Sequence, residues 1–172
     1  MDNRYPIGPF TWTGPYTPQQ RTAAIDDIAA TPRNLRDAVA GLTDSQLDTP
    51  YRDGGWSIRQ VIHHLSDSHS NASIRLRLAL TEHEPTIKPY DQRWAELTDA
   101  KSGPIEPSLG LMDGLHYRLA MLLRSLSDAD VTKKFNHPEI GVVTIDRYVA
   151  TYSWHGKHHV AQITSLRERK GW

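Results

Sequence analysis

The chain has 172 residues, with 20 Lys and Arg against 20 Asp and Glu, so its formal net charge is zero. This length predicts one domain with a sizeable core, and the balanced charge argues against a nucleic-acid partner, which usually requires a basic excess. The chain has no cysteine, which excludes disulfides, thiolate metal ligands and a cysteine nucleophile, so any metal must bind nitrogen and oxygen ligands.

The first predicted elements are an irregular arm and a long helix. Residues 1–16 contain three prolines and two glycines among aromatic residues, which predicts an extended arm. Thr17 is a good N-cap and Pro18 suits the first helical position, so we expect a helix that runs to about Ala40. Pro32 lies inside this helix and predicts a kink or a break.

Three more helices follow. Ser57 is an N-cap candidate for the second long helix, whose apolar residues recur at spacings of three and four. A connection with four prolines, residues 82–107, comes next, and its length indicates a functional loop. The third helix is predicted over about residues 108–126, and the fourth from residue 144 or 145 to about 170.

The connection before the fourth helix contains a turn at Pro138–Gly141, which predicts either a small hairpin or extended chain. Four long helices with one apolar stripe each, and no good period-2 strand, predict an all-α fold. We expect a four-helix bundle with an extended N-terminal arm and long loops, in a single domain over residues 1–172.

Location follows from what the sequence lacks. No run of about 18 apolar residues could span a membrane, and the opening MDNRYPIGPF has no apolar signal-peptide core. Together with the absence of cysteine, this favours a cytoplasmic location. We therefore expect neither a membrane nor a nucleic acid as a partner.

Six of the nine histidines lie in two short clusters, HHLSDSH and HGKHH. On a helix, His155 and His159 are four residues apart and share a face. His158 is rotated by roughly 100° from His159 and points toward solvent or another element. His63 and His64 flank the apolar stripe of the second long helix on opposite sides, and helical geometry does not choose between them.

These clusters can build a metal site between two helices of a bundle. Three neutral imidazoles with open coordination positions are typical of a catalytic metal site, and zinc, nickel, iron and copper all accept imidazole. An acid–base site without a metal is the alternative. We expect His69, on the apolar stripe, to pack in the core, and the isolated His83, His116 and His137 to be structural or exposed.

The pair His155 and His159 also resembles half of the zincin motif H-E-x-x-H. The position of the general-base glutamate is Gly156, however, so a base must come from elsewhere. Asp67 lies about one turn past His63 and His64, where it could orient an imidazole or accept a proton. The alternative for Asp67 is an exposed carboxylate on a helix face.

Four stretches resemble the YfiT subgroup of the DinB-like superfamily: YPIGPF, SQLDTPYRDGGWSIRQVIHHLSDSH, IKPYDQRWAEL and YSWHGKHHVAQITSLRERKGW. The resemblance covers nearly the whole chain. It implies a four-helix bundle that forms a homodimer and carries one divalent metal ion on His64, His155 and His159, with Zn²⁺ expected first and Ni²⁺ second. The chain departs from the family pattern at Gln162, where a further histidine is expected. Glutamine cannot shuttle a proton, so activity could differ.

The subgroup is assigned to the metal-dependent hydrolases, so the resemblance implies hydrolysis of a small molecule. Asp67 or His158 would then assist as base or as partner of a metal ligand. Other members of the superfamily transfer low-molecular-weight thiols to electrophiles, which is the first alternative. Four residues in or near the right loops could bind such a thiol cofactor: Arg52, Arg59, Tyr90 and Arg93. The second alternative is a non-catalytic bundle whose metal is closed by a fourth protein ligand.

Overall fold

The computed structural model describes residues 2–172. Its four long helices are α1 (Pro18–Val39), α3 (Ile58–Thr81), α5 (Glu106–Arg124) and α7 (Ile145–Lys170). The connections contain α2 (Asp44–Leu47), the 3₁₀ helix Gln92–Glu96, α4 (Thr98–Ser102), α6 (Asp128–Val131), β1 (Lys134–His137) and β2 (Gly141–Thr144). The predicted fold class, with four long helices, is confirmed. None of the helices in the described residues is long and apolar enough to cross a bilayer.

Capping side chains explain where the long helices begin and end. Thr17 and Ser57 each form a capping box with the glutamine three residues later, as their N-cap assignment predicted. The hydroxyl of Thr144 accepts a hydrogen bond from the backbone N–H of Arg147 at the start of α7. Gly171 ends α7 with a φ of 69°, a left-handed conformation that glycine adopts without steric cost.

The sequence predicted either a kink or a break at Pro32, and the break does not occur. α1 continues through Pro32, from Pro18 to Val39. Proline has no N–H, so it cannot bond to the carbonyl of Ile28 four residues earlier. That carbonyl instead accepts a hydrogen bond from Nδ1 of His116 on α5, at 2.6 Å. A neighbouring helix therefore replaces the hydrogen bond that the proline removes.

The connection between α5 and α7 forms a hairpin rather than extended chain. β1 and β2 pair antiparallel, with Phe135 opposite Val143. Both of these side chains are buried in the core, whereas the turn that joins the strands is exposed. The hairpin therefore holds its turn at a defined place beside the bundle.

The N-terminal arm packs its aromatic residues on α7. Residues 2–16 contain no helix or strand, as predicted. Phe10 lies against Trp154 with ring centroids 5.8 Å apart. The indole N–H of Trp154 donates to the carbonyl of Gly8 at 3.1 Å. These contacts explain why an arm without regular structure has a defined position.

Each long helix packs against two of the others. α1 lies against α5 and α7, and α3 lies against the same two helices. α1 and α3 are therefore diagonal to each other although they are consecutive long helices, unlike an up-down-up-down bundle in which consecutive helices are neighbours. This topology makes neighbours of α3 and α7, the two helices that carry the histidine clusters.

A polar layer divides the core into two apolar clusters. One cluster includes Ile28 and Leu76, and the other includes Leu35 and Leu65. On α3, the fully buried His69 lies between Leu65 and Leu76. A buried polar group without a partner costs about 1–3 kcal/mol, so the imidazoles of this layer require hydrogen-bond partners.

Candidate metal centre

Three histidines from two helices meet in the polar layer. α3 carries His64 and α7 carries His155 and His159, and one nitrogen of each lies within 4.8 Å of the others. Nε2 of His64 is 3.3 Å from Nε2 of His155. Two nitrogens bound to a tetrahedral ion at about 2.05 Å are roughly 3.3 Å apart. The spacing and the three nitrogen donors therefore fit one divalent ion of the kind that accepts imidazole.

His63 points away from this cluster. Its Nδ1 is 2.8 Å from the hydroxyl of Ser108, and its Nε2 is 3.3 Å from the carbonyl of Gly103. His64 is instead buried next to α7. Helical geometry did not choose between His63 and His64. The side of α3 that faces α7 carries His64, which is also the residue that the family resemblance implies.

Burial keeps the three imidazoles neutral. It lowers the pKa of His64, His155 and His159 well below the ordinary value for histidine, and the neighbouring imidazoles lower it further. Only the neutral ring has a lone pair for a metal ion. At neutral pH the cluster is therefore in the form that binds metal.

A chain of buried imidazoles connects His155 to α1. Nδ1 of His155 is 2.9 Å from Nε2 of His69, and Nδ1 of His69 is 2.9 Å from Nε2 of His116. The chain ends where Nδ1 of His116 donates to the carbonyl of Ile28. These four groups come one from each long helix. The isolated His116 and the core residue His69 are thus both structural, as predicted, and both are fully buried.

The carbonyl at the end of this chain determines where the protons lie. A carbonyl oxygen can only accept, so Nδ1 of His116 carries the proton and its Nε2 accepts one from Nδ1 of His69. By the same reasoning, Nε2 of His69 accepts from Nδ1 of His155. Burial lowers the pKa of His69 and His116, which keeps both rings neutral as this assignment requires. Nε2 of His155 therefore presents its lone pair to the cluster.

The other two histidines are oriented in the same way. Nδ1 of His159 donates to Oε1 of Gln162 at 2.8 Å, and Nε2 of Gln162 donates to the carbonyl of Arg4 at 3.0 Å. Nδ1 of His64 lies 3.3 Å from the hydroxyl of Tyr90. Each Nδ1 thus has a partner and each Nε2 is left for a metal. Gln162, at the position where the family pattern expects histidine, orients a candidate ligand.

Asp67 does not reach the cluster. Its carboxylate makes no hydrogen bond within residues 2–172, and it does not line the cavity beside the histidines. Burial, followed by the charge of Asp99, raises its pKa. Asp67 therefore matches the alternative expectation of a carboxylate on a helix face. It differs from that expectation in being half-buried rather than exposed.

His158 was expected to point toward solvent or toward another element. It lies against another element, the N-terminal arm. Its ring stacks on Trp154 with centroids 4.4 Å apart and lies 5.6 Å from the ring of Tyr5. Its Nε2 is 3.0 Å from the amide nitrogen of Gln162, and its Nδ1 is buried without a hydrogen-bond partner. Burial lowers its pKa to about 4. The ring lines the cavity beside the three histidines. Its Nδ1 is buried, however, and its Nε2 faces Gln162, so neither nitrogen is placed to accept a proton from a molecule in the cavity.

Gly156 lacks a side chain for a steric reason. A Cβ at this position would lie 2.5 Å from Oγ1 and 2.8 Å from Cγ2 of Thr31 on α1. The two helices approach so closely that no side chain fits without movement. The glutamate of the zincin motif therefore has no room here.

The cluster opens into a cavity of about 560 Å³, a volume typical of small-molecule sites. Its walls include the arm, the loop before α3, residues 90 and 92 of the long loop, and the hairpin turn. Arg52 and Tyr90 line it, as suggested for a cofactor site. Arg59 and Arg93 do not, because the first pairs with Asp44 and Asp48 and the second with Asp91.

Sequence reasoning missed several residues of this wall. Ser68 and Arg75 line the cavity, and they follow His64 by four and eleven residues, on the same helical face. That spacing was a usable signal. Glu139 and His137 also line the cavity, but nothing in the local sequence indicated that the hairpin lies next to the histidine clusters.

The sequence pattern of the DinB superfamily matches residues 27–163. The chain belongs to this superfamily. A relative from Oceanobacillus iheyensis is 52% identical over 173 residues and covers the whole of both chains. One from Bacillus mycoides is 51% identical over 172 residues, which is 99% of each chain. Both DinB relatives are named, provisionally, metal-dependent hydrolases.

A solved structure shows the same DinB-type fold. YfiT from Bacillus subtilis superimposes with a TM-score of 0.97 at 44% identity, and the match covers 100% of this chain and 99% of YfiT. YfiT is described, also provisionally, as a metal-dependent hydrolase with an unusual four-helix bundle topology. The predicted four-helix bundle and the family resemblance are therefore both confirmed.

Proposed function

We propose that this protein is a metal-dependent hydrolase that acts on a small molecule. The observation that carries the proposal is the group of three neutral histidines, each with Nε2 available to one ion, at the wall of a cavity. The proposed ligands are His64, His155 and His159, with Zn²⁺ as the first candidate ion and Ni²⁺ as the second. The names of the relatives support a metal-dependent hydrolase, without naming the metal or its ligands.

The residues around the ligands would prepare the site for this chemistry. When bound, a divalent ion with an open coordination position acts as a Lewis acid and makes water nucleophilic near neutral pH. His69, Gln162 and Tyr90 hold the ligand rings in position, so the site needs little rearrangement to bind the ion.

Neither base expected from the sequence is retained in this proposal, because Asp67 does not line the cavity and the nitrogens of His158 are buried or face Gln162. Glu139 is the one carboxylate among the described residues that line the cavity. It is an exposed side chain on the hairpin turn, so it can exchange protons with solvent. We infer that it is the candidate proton acceptor for a substrate in the cavity.

A second candidate function is the transfer of a low-molecular-weight thiol to an electrophile. It would use the same three histidines, and Arg52 and Tyr90 line the cavity where a polar thiol cofactor would lie. The chain has no cysteine, so the thiol would come with the cofactor. A closed, non-catalytic metal site has less support, since no fourth His, Asp or Glu joins the cluster within residues 2–172.

Metal content is the first test. Protein without a histidine tag, its His155→Ala and His159→Ala variants and a His63→Ala control would be analysed for bound metal by mass spectrometry. We expect about one ion per chain in the wild type and in His63→Ala, and a large loss in the other two variants, since three ligands are needed to hold the ion well. His63 is a matched control because it is adjacent to His64 but bonds to Ser108.

An assay panel then separates the candidate reactions. The metal-loaded protein would be tested on esters and amides, and on thiol conjugation to electrophiles. Hydrolysis that is lost in His155→Ala supports the hydrolase, and thiol conjugation without hydrolysis supports the transferase. A wild-type chain that binds no metal after incubation with zinc or nickel contradicts both.

Two expectations from the resemblance are part of the same proposal. We propose that the protein is a homodimer and that it acts in the cytoplasm. Light scattering during size-exclusion chromatography measures the mass in solution, and a mass of one chain, about 19.5 kDa, contradicts the dimer. Fractionation of the source cells tests the location.

A further inference from the structure

Arg75 is a buried cation in the wall of the cavity. It lies on α3, is 8% exposed, and lines the same cavity as His64. Eleven residues separate the two, which returns Arg75 to the same helical face roughly 16 Å further along the axis. Helical side chains lean toward the N-terminus, so the guanidinium extends back in the direction of the three histidines. Ser68 lies between them on this face and also lines the cavity.

No carboxylate of residues 2–172 neutralises Arg75. Within residues 2–172, no Asp or Glu oxygen lies within 4.0 Å of its guanidinium. One terminal nitrogen donates to the carbonyl of Lys88 at 3.0 Å, and the other is 3.5 Å from the hydroxyl of Tyr152. Its Nε is buried without a hydrogen-bond partner. Within the described residues, the guanidinium therefore lacks a carboxylate partner, and its buried Nε–H lacks a hydrogen-bond acceptor.

Arg59, the other buried arginine among residues 2–172, is paired with carboxylates, and so is the largely covered Arg21. The side chain of Arg59 is 6% exposed and lies 2.7 Å from Asp48 and 2.8 Å from Asp44. The side chain of Arg21 is 16% exposed and lies 2.8 Å from Asp146. A guanidinium cannot lose its proton, and an unpaired buried charge is strongly unfavourable. An arginine left without a carboxylate in a cavity wall thus indicates an anion that comes from outside the chain.

The rest of the wall does not supply that anion. Arg52 also lines the cavity, and it donates to the hydroxyl of Tyr51 and the carbonyl of Asp53 rather than to a carboxylate. Glu139 is exposed and lies more than 4.0 Å from Arg75. The buried histidines are neutral. The cavity therefore presents net positive charge to a ligand.

We propose that the substrate carries a carboxylate that binds Arg75 while its reacting bond lies at the three histidines. This inference rests on the proposed function and deepens it by naming a class of substrate, small carboxylic acids. One guanidinium matches a single negative charge, and its planar N–H groups fit the two oxygens of a carboxylate. Arg75 is then a specificity-determining residue at the end of the cavity away from the metal site.

Equilibrium binding tests this inference without relying on turnover. Butyrate, glutarate and benzoate, each with its neutral amide as a matched probe, would be titrated calorimetrically into zinc-loaded wild type, Arg75→Gln and Arg77→Gln. Arg77 is a matched control because it is an arginine on the same helix that does not line the cavity. We expect at least one acid to bind about tenfold more tightly than its amide, and we expect this preference to disappear in Arg75→Gln but not in Arg77→Gln.

Several outcomes would overturn the inference. One is that no acid is preferred by the wild type, and another is that the preference persists in Arg75→Gln. A carboxylate held by the metal ion would be lost in His155→Ala and kept in Arg75→Gln. A structural role for Arg75 would lower the melting temperature of Arg75→Gln and weaken acids and amides equally. If acids are preferred through Arg75 but no ester or amide is hydrolysed, the proposed function fails and the carboxylate site stands.

Discussion

At the scale of single residues, the candidate metal centre depends on which nitrogen of each histidine carries the proton. Pro32 removes an N–H from α1, and the carbonyl of Ile28 is thereby left to accept from His116. His116 and His69 then transmit this constraint to His155, whose Nε2 lone pair faces the cluster. A proline in one helix thus determines the tautomer of a candidate ligand in another.

Breaking this chain should weaken metal binding although no ligand is removed. In His69→Leu, Nδ1 of His155 and Nε2 of His116 both lose their partners. Removing such an orienting partner typically costs 10- to 100-fold in metal affinity, and we expect a loss of about that size for zinc in competition with a chelator. The control is His83→Ala, which removes an exposed histidine of the long loop. Equal zinc affinity in His69→Leu and wild type would contradict the role of the chain.

At the scale of elements, the close approach of α1 and α7 brings the site together. Thr31 lies next to Gly156, one residue after His155, so this contact sets the position of α7 where it carries both of its candidate ligands. The packing of α1 against α5 separately places the carbonyl of Ile28 within reach of His116. The glycine therefore has a packing role that the zincin comparison could not indicate.

We expect Gly156→Ala to destabilise the protein by about 1–3 kcal/mol, because the added Cβ would overlap Thr31. Chemical denaturation measures the change in the free energy of unfolding. Gly114→Ala is the matched control, since nothing lies within 4 Å of a Cβ there. Because alanine is more favourable than glycine in a helix interior, this variant should raise the free energy of unfolding by about 0.5–1 kcal/mol. A further check is the double variant Gly156→Ala and Thr31→Ala. It lacks both clashing atoms of Thr31 and should recover much of the stability that Gly156→Ala loses. Equal effects of the two glycine substitutions would contradict the close contact.

At the scale of the whole molecule, the core contains a layer of neutral histidines between two apolar clusters. Burial lowers the pKa of all of them: His64, His69, His116, His155, His158 and His159. In the unfolded chain the pKa of a histidine side chain is about 6.5. The unfolded state therefore binds more protons than the folded state at mildly acidic pH, and acid favours unfolding.

The metal-free protein should consequently lose stability as the pH falls. Stability should be complete above about pH 7 and should decline below about pH 6.5, by up to about 1.4 kcal/mol per pH unit for each histidine that stays neutral when folded. Urea unfolding of chelator-treated protein between about pH 5 and pH 8 measures this slope. His116→Leu should give a shallower slope and His83→Ala the wild-type slope. A slope that is flat in the wild type would show that the layer takes up protons without unfolding.

Much of this protein follows from local sequence. The four long helices follow from apolar spacing and from the capping residues Thr17 and Ser57, because helix formation depends on neighbours a few residues apart. The shared face of His155 and His159 follows from the same periodicity. The local sequence between α5 and α7 allows either a hairpin or extended chain. It does not determine the outcome at Pro32, since the hydrogen bond that replaces the missing one comes from another helix.

The tertiary structure decided what depends on which helices are neighbours. The diagonal placement of α1 and α3 brings α3 beside α7. As a result His64 joins His155 and His159, whereas His63 contacts Ser108. This placement also assembles one group from each helix into the chain that ends at Ile28, and it leaves Arg75 in a cavity wall without a carboxylate. Periodicity determines which residues share a face of one helix. The partner of that face depends on the packing of the whole bundle, which no local pattern encodes.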